Sequence, residues 1–121
     1  MSKIESFEDL TVYQNGLQLA IDLYKKLAHS KEYSLKDQIF RSAVSIPSNI
    51  AEGFEREYNK EFIRFLRIVK GSSGELRTQI YIAEGIGIIE KETAMELVSK
   101  CKHISSMLRN LIKTRTERFR D

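Results

Sequence analysis

The chain has 121 residues, 41% of them hydrophobic and 31% charged, with a formal charge of +3, one proline and no tryptophan. That length accommodates one core and excludes two, and that balance belongs to a soluble folded chain rather than a disordered one. The lone cysteine, Cys101, excludes an intrachain disulfide and a cysteine-built zinc site within one chain, and reads as a small buried apolar residue.

The apolar residues recur at helical spacing in four stretches. In the first, Leu10, Leu17 and Tyr24 step by seven beside Tyr13, Ala20 and Leu27, which predicts a seam on a helix from about Phe7 to Ala28. Ser34 is the expected cap of the second helix, with Asp37 near its positive end and Leu35, Ile39, Ala43, Ile46 and Ile50 on its apolar face. Pro47 removes the amide that would bond the Ala43 carbonyl, so a kink is expected there rather than a stop. Gly53 to Asn59 reads as the exit, with Asn59 capping the third helix.

That third helix turns Phe62, Phe65, Leu66, Val69, Ser73, Leu76, Ile80 and Ala83 inward. Gly71 and Gly74 stand in its middle, where each costs about 1 kcal/mol relative to alanine, and close approach of another helix is the expected compensation. Gly85 and Gly87 end it. After a turn near Glu90, the fourth helix brings Ala94, Leu97, Cys101, Ile104, Leu108 and Leu111 inward. Short connections between four helices predict an all-α, antiparallel up-down-up-down bundle, filling residues 1–121 as a single domain.

Chemistry is hard to find in this pattern. A di-iron bundle needs Glu-x-x-His on two helices, but Lys26 precedes His29 and Lys100 precedes His103 by three positions, so no metal site is expected and both histidines read as surface or boundary residues. Neither a phosphate loop nor a dinucleotide fingerprint occurs. The serines lack an evident base, so no catalytic residue and no cofactor is expected. No apolar run approaches the ~20 residues that cross a bilayer, and the acidic start from Met1 to Asp9 lacks the apolar core of a secretory signal, so a cytoplasmic location without membrane contact is expected.

One polar pattern rises above background. Gln38, Arg41, Ser42, Ser45, Asn49 and Glu52 fall three or four apart on the second helix, and Ser72, Glu75 and Gln79 repeat the pattern on the third. These stripes read either as solvated faces or as a packed polar interface, within the bundle or between subunits, in which Arg41 pairs with Glu52 or Glu75. An acid/base use of Glu52 and Glu75 is the weakest of the readings.

The run from Asp37 to Gly53 (Asp-Gln-Ile-Phe-Arg-Ser-Ala-Val-Ser-Ile-Pro-Ser-Asn-Ile-Ala-Glu-Gly), with Glu61-Phe62-Ile63-Arg64-Phe65-Leu66 and Gly71-Ser-Ser-Gly-Glu-Leu-Arg-Thr-Gln79, resembles the four-helix bundle proteins encoded in intervening sequences of bacterial 23S rRNA genes, the S23 ribosomal protein family. A more distant similarity runs to the accessory protein of diversity-generating retroelements. The resemblance extends from Phe7 to the last helix. It implies a small helical bundle that assembles with itself into rings, typically of five. The accessory protein's basic surface further implies association with nucleic acid.

The charge distribution bears on the same question. From Lys100 onward stand seven basic and two acidic residues, so the positive excess lies at the end of the chain. Lys100, Lys102, Arg109, Lys113, Arg115, Arg118 and Arg120, with Lys60, Arg64 and Arg67 on one face of the third helix, are the candidate nucleic-acid contacts, RNA being placed before DNA as the ligand. Cations near a helix C-terminus also offset its dipole, which accounts for part of the pattern. Three functions remain open: an oligomeric nucleic-acid-associated protein, an adaptor that binds a protein partner without touching nucleic acid, and, last, a small-molecule enzyme.

Overall fold

The structure, a computed structural model, describes residues 3–118. A short 3-10 turn at Phe7–Asp9 leads into four helices, α1 (Thr11–Leu27), α2 (Tyr33–Glu55), α3 (Asn59–Gly85) and α4 (Lys91–Arg118), and no strand occurs among the described residues. Each helix touches its sequence neighbours, α1 also touches α4, and neither diagonal pair meets. The result is the expected square antiparallel bundle. Its tightest seam joins α2 and α3, and its loosest joins α1 and α4.

The first helix differs most from expectation. Asp9 accepts the amides of Glu5 (3.0 Å) and Ser6 (3.1 Å), which holds the 3-10 turn, and Leu10 is extended, so helix begins only at Thr11. Val12, Gly16, Leu19, Leu23 and Leu27 face the core, whereas Leu17 and Tyr24 of the expected seam are exposed, and Tyr13 and Ala20 are half-buried. The helix has two apolar stripes, and contact with α2 and α4 selects the one containing glycine. A side-chain carbon at Gly16 would lie 2.8 Å from Ile46 Cγ2 and 3.7 Å from Pro47 Cδ, so the absence of one lets α1 lie close against α2 at its proline.

In α2, helix begins at Tyr33 with Glu32 as the flanking residue, and Ser34 lies inside it rather than capping it. Helix runs unbroken through Pro47, whose buried ring packs at the Gly16 contact. Gly53 is not part of the exit. It is buried in the last turns of α2, where an added carbon would sit 2.5 Å from Phe65 Cβ, so α2 and α3 approach closely here. The helix ends instead at Arg56 and Glu57, the latter in the left-handed region at φ 70°.

Every residue expected inside α3 is buried. Asn59, however, is its first residue and not its cap; it is buried and donates from Nδ2 to the Arg115 carbonyl at 3.0 Å. Gly71 and Gly74 face open space, so they do not mediate close packing. The contact with α4 belongs to Ser73, which stands between them. Ser73 donates to the Cys101 carbonyl (3.1 Å), and the half-buried Ser105 donates to the Ser73 hydroxyl (3.0 Å), which satisfies the buried Ser73 group. Gly87, at φ 84°, ends α3, with the amides of Gly87 and Ile88 bonding the carbonyls of Glu84 and Ala83. On α4, Ala94, Leu97, Cys101, Ile104 and Leu108 are buried as expected, and Leu111 packs against the core half-buried.

Candidate functional site

Antiparallel pairing brings the first turns of α3 and the last turns of α4 to one end of the bundle. The Asn59 to Arg115 hydrogen bond sets the register of that pairing. It gathers Lys60, Arg64 and Arg67 with Arg109, Lys113, Arg115 and Arg118, two clusters more than forty positions apart in sequence. Arg120 lies outside the described residues. Arg56, which closes α2 at the same end, joins the group although sequence reasoning passed over it as part of a loop.

These cations do not all play the same part. Arg64 pairs with Glu61 at 2.9 Å, and Arg56 reaches Glu52 at 2.8 Å and Glu61 at 3.5 Å. The hydrogen bond from Arg64 and the charges of Arg64 and Arg56 hold the Glu61 carboxyl below its ordinary range. Both guanidinium groups lie over the Phe65 ring, at 4.7 and 5.2 Å, so they cover the Gly53 contact from outside. Arg115 lies 4.9 Å over Phe62 and is half-buried; it ties α4 to α3. Lys60, Arg67, Arg109, Lys113 and Arg118 are exposed and have no ion pair among the described residues.

Lys100 and Lys102 stand apart from this end. Lys100 bridges the loose seam to α1 through Asp22 at 3.4 Å and also reaches Glu96, so its charge is spent on closing α1 against α4. Hydrogen bonds from Gln18 and Lys100 hold Asp22 below the usual carboxylate range. Lys102 faces a recess between α3 and α4 with Tyr81, Glu84 and Met95.

The polar stripes do meet. Gln38, Arg41, Ser42 and Ser45 of α2 and Ser72, Glu75 and Gln79 of α3 line one groove of about 330 Å³. Among the described residues no hydrogen bond or ion pair joins α2 to α3 across it. Ser45 donates to the Ser42 carbonyl (2.7 Å) and Asn49 to the Ser45 carbonyl (2.8 Å), both within α2, and Glu52 turns away to Arg56. Among the described residues no ion pair joins Arg41 to Glu52 or Glu75, and the Gln79 carbonyl oxygen is buried without a partner. His29 and His103 are exposed, and no cluster of metal-ligating side chains occurs among the described residues. No helix of the described residues is long and apolar enough to cross a membrane.

A second surface escaped sequence reasoning because Leu17 and Tyr24 were assigned to the inner seam of α1, while Ile21 and Val44 were assigned to no face. Leu17, Ile21 and Tyr24 of α1 and Val44 of α2 are exposed around a recess of about 480 Å³ floored by Phe7, Tyr13, Ala20, Pro47 and Ala51. On the opposite side of the square, Tyr81 and Met95 are likewise exposed.

The family model described as 23S rRNA-intervening sequence protein matches residues 8–110. Among solved structures, the chain is similar to a protein of unknown function from the S23 ribosomal protein family of Bacteroides thetaiotaomicron VPI-5482. The two share 27% identity over 86% of this chain and 100% of that one, with a TM-score of 0.80. Among curated proteins, nothing matches.

Proposed function

Starting from a chain that belongs to the 23S rRNA-intervening sequence protein family, we propose that it is a non-enzymatic cytoplasmic protein that assembles with itself, in a ring of five, and binds RNA through the basic end of the bundle. The observation that carries this reading is the convergence of Lys60, Arg67, Arg109, Lys113 and Arg118, all exposed and free of ion pairs among the described residues. Cations left unpaired beside paired ones are available to phosphates, and symmetry multiplies a modest charge per chain. Self-assembly is supported by the exposed apolar surfaces on opposite sides of the bundle. When two different patches meet head to tail, the contact is heterologous and can close into a ring.

A salt series tests the RNA reading. Single-stranded RNA affinity should fall steeply with salt, with a slope of about 0.7 per phosphate neutralised, and Lys113→Ala with Arg118→Ala should flatten that slope by about 1.4. An unchanged slope, or no binding at low salt, would remove the basic end from consideration. Light scattering on the same sample should give about five times the 14.1 kDa chain, and Ile21→Glu should reduce that mass. A monomeric wild type would refute the assembly.

The apolar recess between α1 and α2 specifically favours a second reading, an adaptor that docks a protein partner and does not contact nucleic acid. Partner binding would then be insensitive to salt, and Ile21→Glu would abolish it while the basic-end variants would not.

A further inference from the structure

We infer that Tyr58 is a stacking platform for an unpaired nucleobase, so that the basic end takes single-stranded rather than duplex RNA; this rests on the RNA reading above and specifies its ligand. Tyr58 is the flanking residue of α3, in the turn that leaves α2. It is 68% exposed, more than any other large hydrophobic side chain among the described residues. The turn is what displays it: Glu57 adopts a left-handed conformation that side-chain-bearing residues rarely take, and Tyr58 follows in extended form at φ −99° and ψ 132°. The chain therefore reverses with the aromatic ring at the tip of the bundle rather than under it.

The surroundings of the ring fit a base and its phosphate. Tyr58 borders a recess of about 250 Å³ whose other walls are Phe54, Glu57, Asn59, Phe62 and Arg115. Phe54 and Phe62 meet edge to face at 5.7 Å, and the Arg115 guanidinium lies over Phe62, so the recess is walled by a guanidinium plane backed by an aromatic pair, against which one flat ring system can lodge. Lys60 follows Tyr58 by two positions, and Arg118 lies one helical turn beyond Arg115. Glu61 is already paired with Arg56 and Arg64, whereas Glu57 is exposed at the side of the recess and Glu117 is exposed next to Arg118 in the chain. Lys60 and Arg118, both exposed and without an ion pair among the described residues, are the cations we assign to the backbone of a strand stacked on Tyr58. Single strands are held by this combination of an aromatic face and adjacent cations, and a continuous duplex offers no unstacked base to such a ring.

The chain contains no tryptophan, so Tyr58→Trp places a single indole reporter at the site. Wild type, Tyr58→Trp, Tyr58→Phe and Tyr58→Ala are titrated in the full chain with a 12-nucleotide single-stranded RNA and a blunt duplex of the same length. Single-stranded RNA should quench the indole and the duplex should not. Tyr58→Ala should weaken single-strand affinity about tenfold with an unchanged salt slope, and Tyr58→Phe should retain wild-type affinity within about twofold. If wild type binds the single strand and Tyr58→Ala binds it equally, or if both RNAs quench alike, the stacking role is refuted while the basic end stands. If wild type binds neither RNA, the RNA reading falls and takes the stacking role with it. Far-ultraviolet circular dichroism of Tyr58→Ala should match wild type, since the ring contributes little to the core.

Discussion

Replacing Gly53 with alanine should destabilise the protein, although alanine is the better helix former. The added carbon would lie 2.5 Å from Phe65 Cβ, 3.1 Å from Phe65 Cγ and 3.3 Å from Phe62 Cδ1. Two carbons are at their optimum about 3.5–4.0 Å apart, so α2 and α3 must part by roughly 1 Å locally. Phe65 Cβ is anchored directly to the backbone and cannot rotate away. Overpacking of this kind costs about 1–3 kcal/mol, here toward the upper figure, against about 1 kcal/mol gained in helix propensity. Gly71→Ala is the control. The same substitution in another helix interior meets nothing within 4 Å, so it should stabilise by about 1 kcal/mol. The difference between the two variants, about 3 kcal/mol, isolates the packing contribution from the propensity they share. Thermal unfolding followed at 222 nm, at one fixed protein concentration because self-association raises apparent stability, should separate their midpoints by roughly 10 °C. A Gly53→Ala midpoint at or above that of Gly71→Ala would refute the close approach of α2 and α3.

Glu57→Gly should stabilise by about 1 kcal/mol in denaturant unfolding, because glycine takes the left-handed conformation at φ 70° without the penalty a glutamate meets. Ser73→Ala should cost about 1–2 kcal/mol in the same assay, since it removes the bond to the Cys101 carbonyl and leaves the Ser105 hydroxyl without its acceptor. Burial pushes the Cys101 thiol up from 9.0 to about 11, so a thiol reagent at pH 8 should label the native protein far more slowly than the unfolded chain. The unfolded thiol ionises near 9 and the folded one only near 11, so Cys101 contributes a loss of stability between those pH values, and Cys101→Ala should show a smaller decline there.

The inner face of α3 was legible because its pattern is single: Phe62, Phe65, Leu66, Val69, Ser73, Leu76, Ile80 and Ala83 lie on one stripe, and all are buried. The helix count, the end of α3 at Gly85 and the burial of Cys101 were legible for the same reason, since each follows from local periodicity or local backbone freedom. In α1 the pattern was double. Leu17, Ile21 and Tyr24 repeat as well as Leu19, Leu23 and Leu27 do, and the close contact of Gly16 with Ile46 and Pro47 turns the second stripe into the core.

The glycines show the limit most clearly. Gly53 and Gly71 are alike to any measure of propensity, yet a carbon added at the first would meet Phe65 and one added at the second would meet nothing within 4 Å. In the candidate site, each basic residue was visible along the chain, but its availability was not. Lys100 closes a seam with Asp22, Arg115 rests on Phe62, and Lys60 and Lys113 have no ion pair among the described residues. The sequence by itself determined how many helices form and where most of them bury a face, because periodicity of 3.6 is a property of neighbours in the chain. Which of two faces turns inward, which glycine lets helices touch and which cations remain unpaired were decided by the tertiary structure alone, because each depends on atoms that are neighbours only after the helices pack.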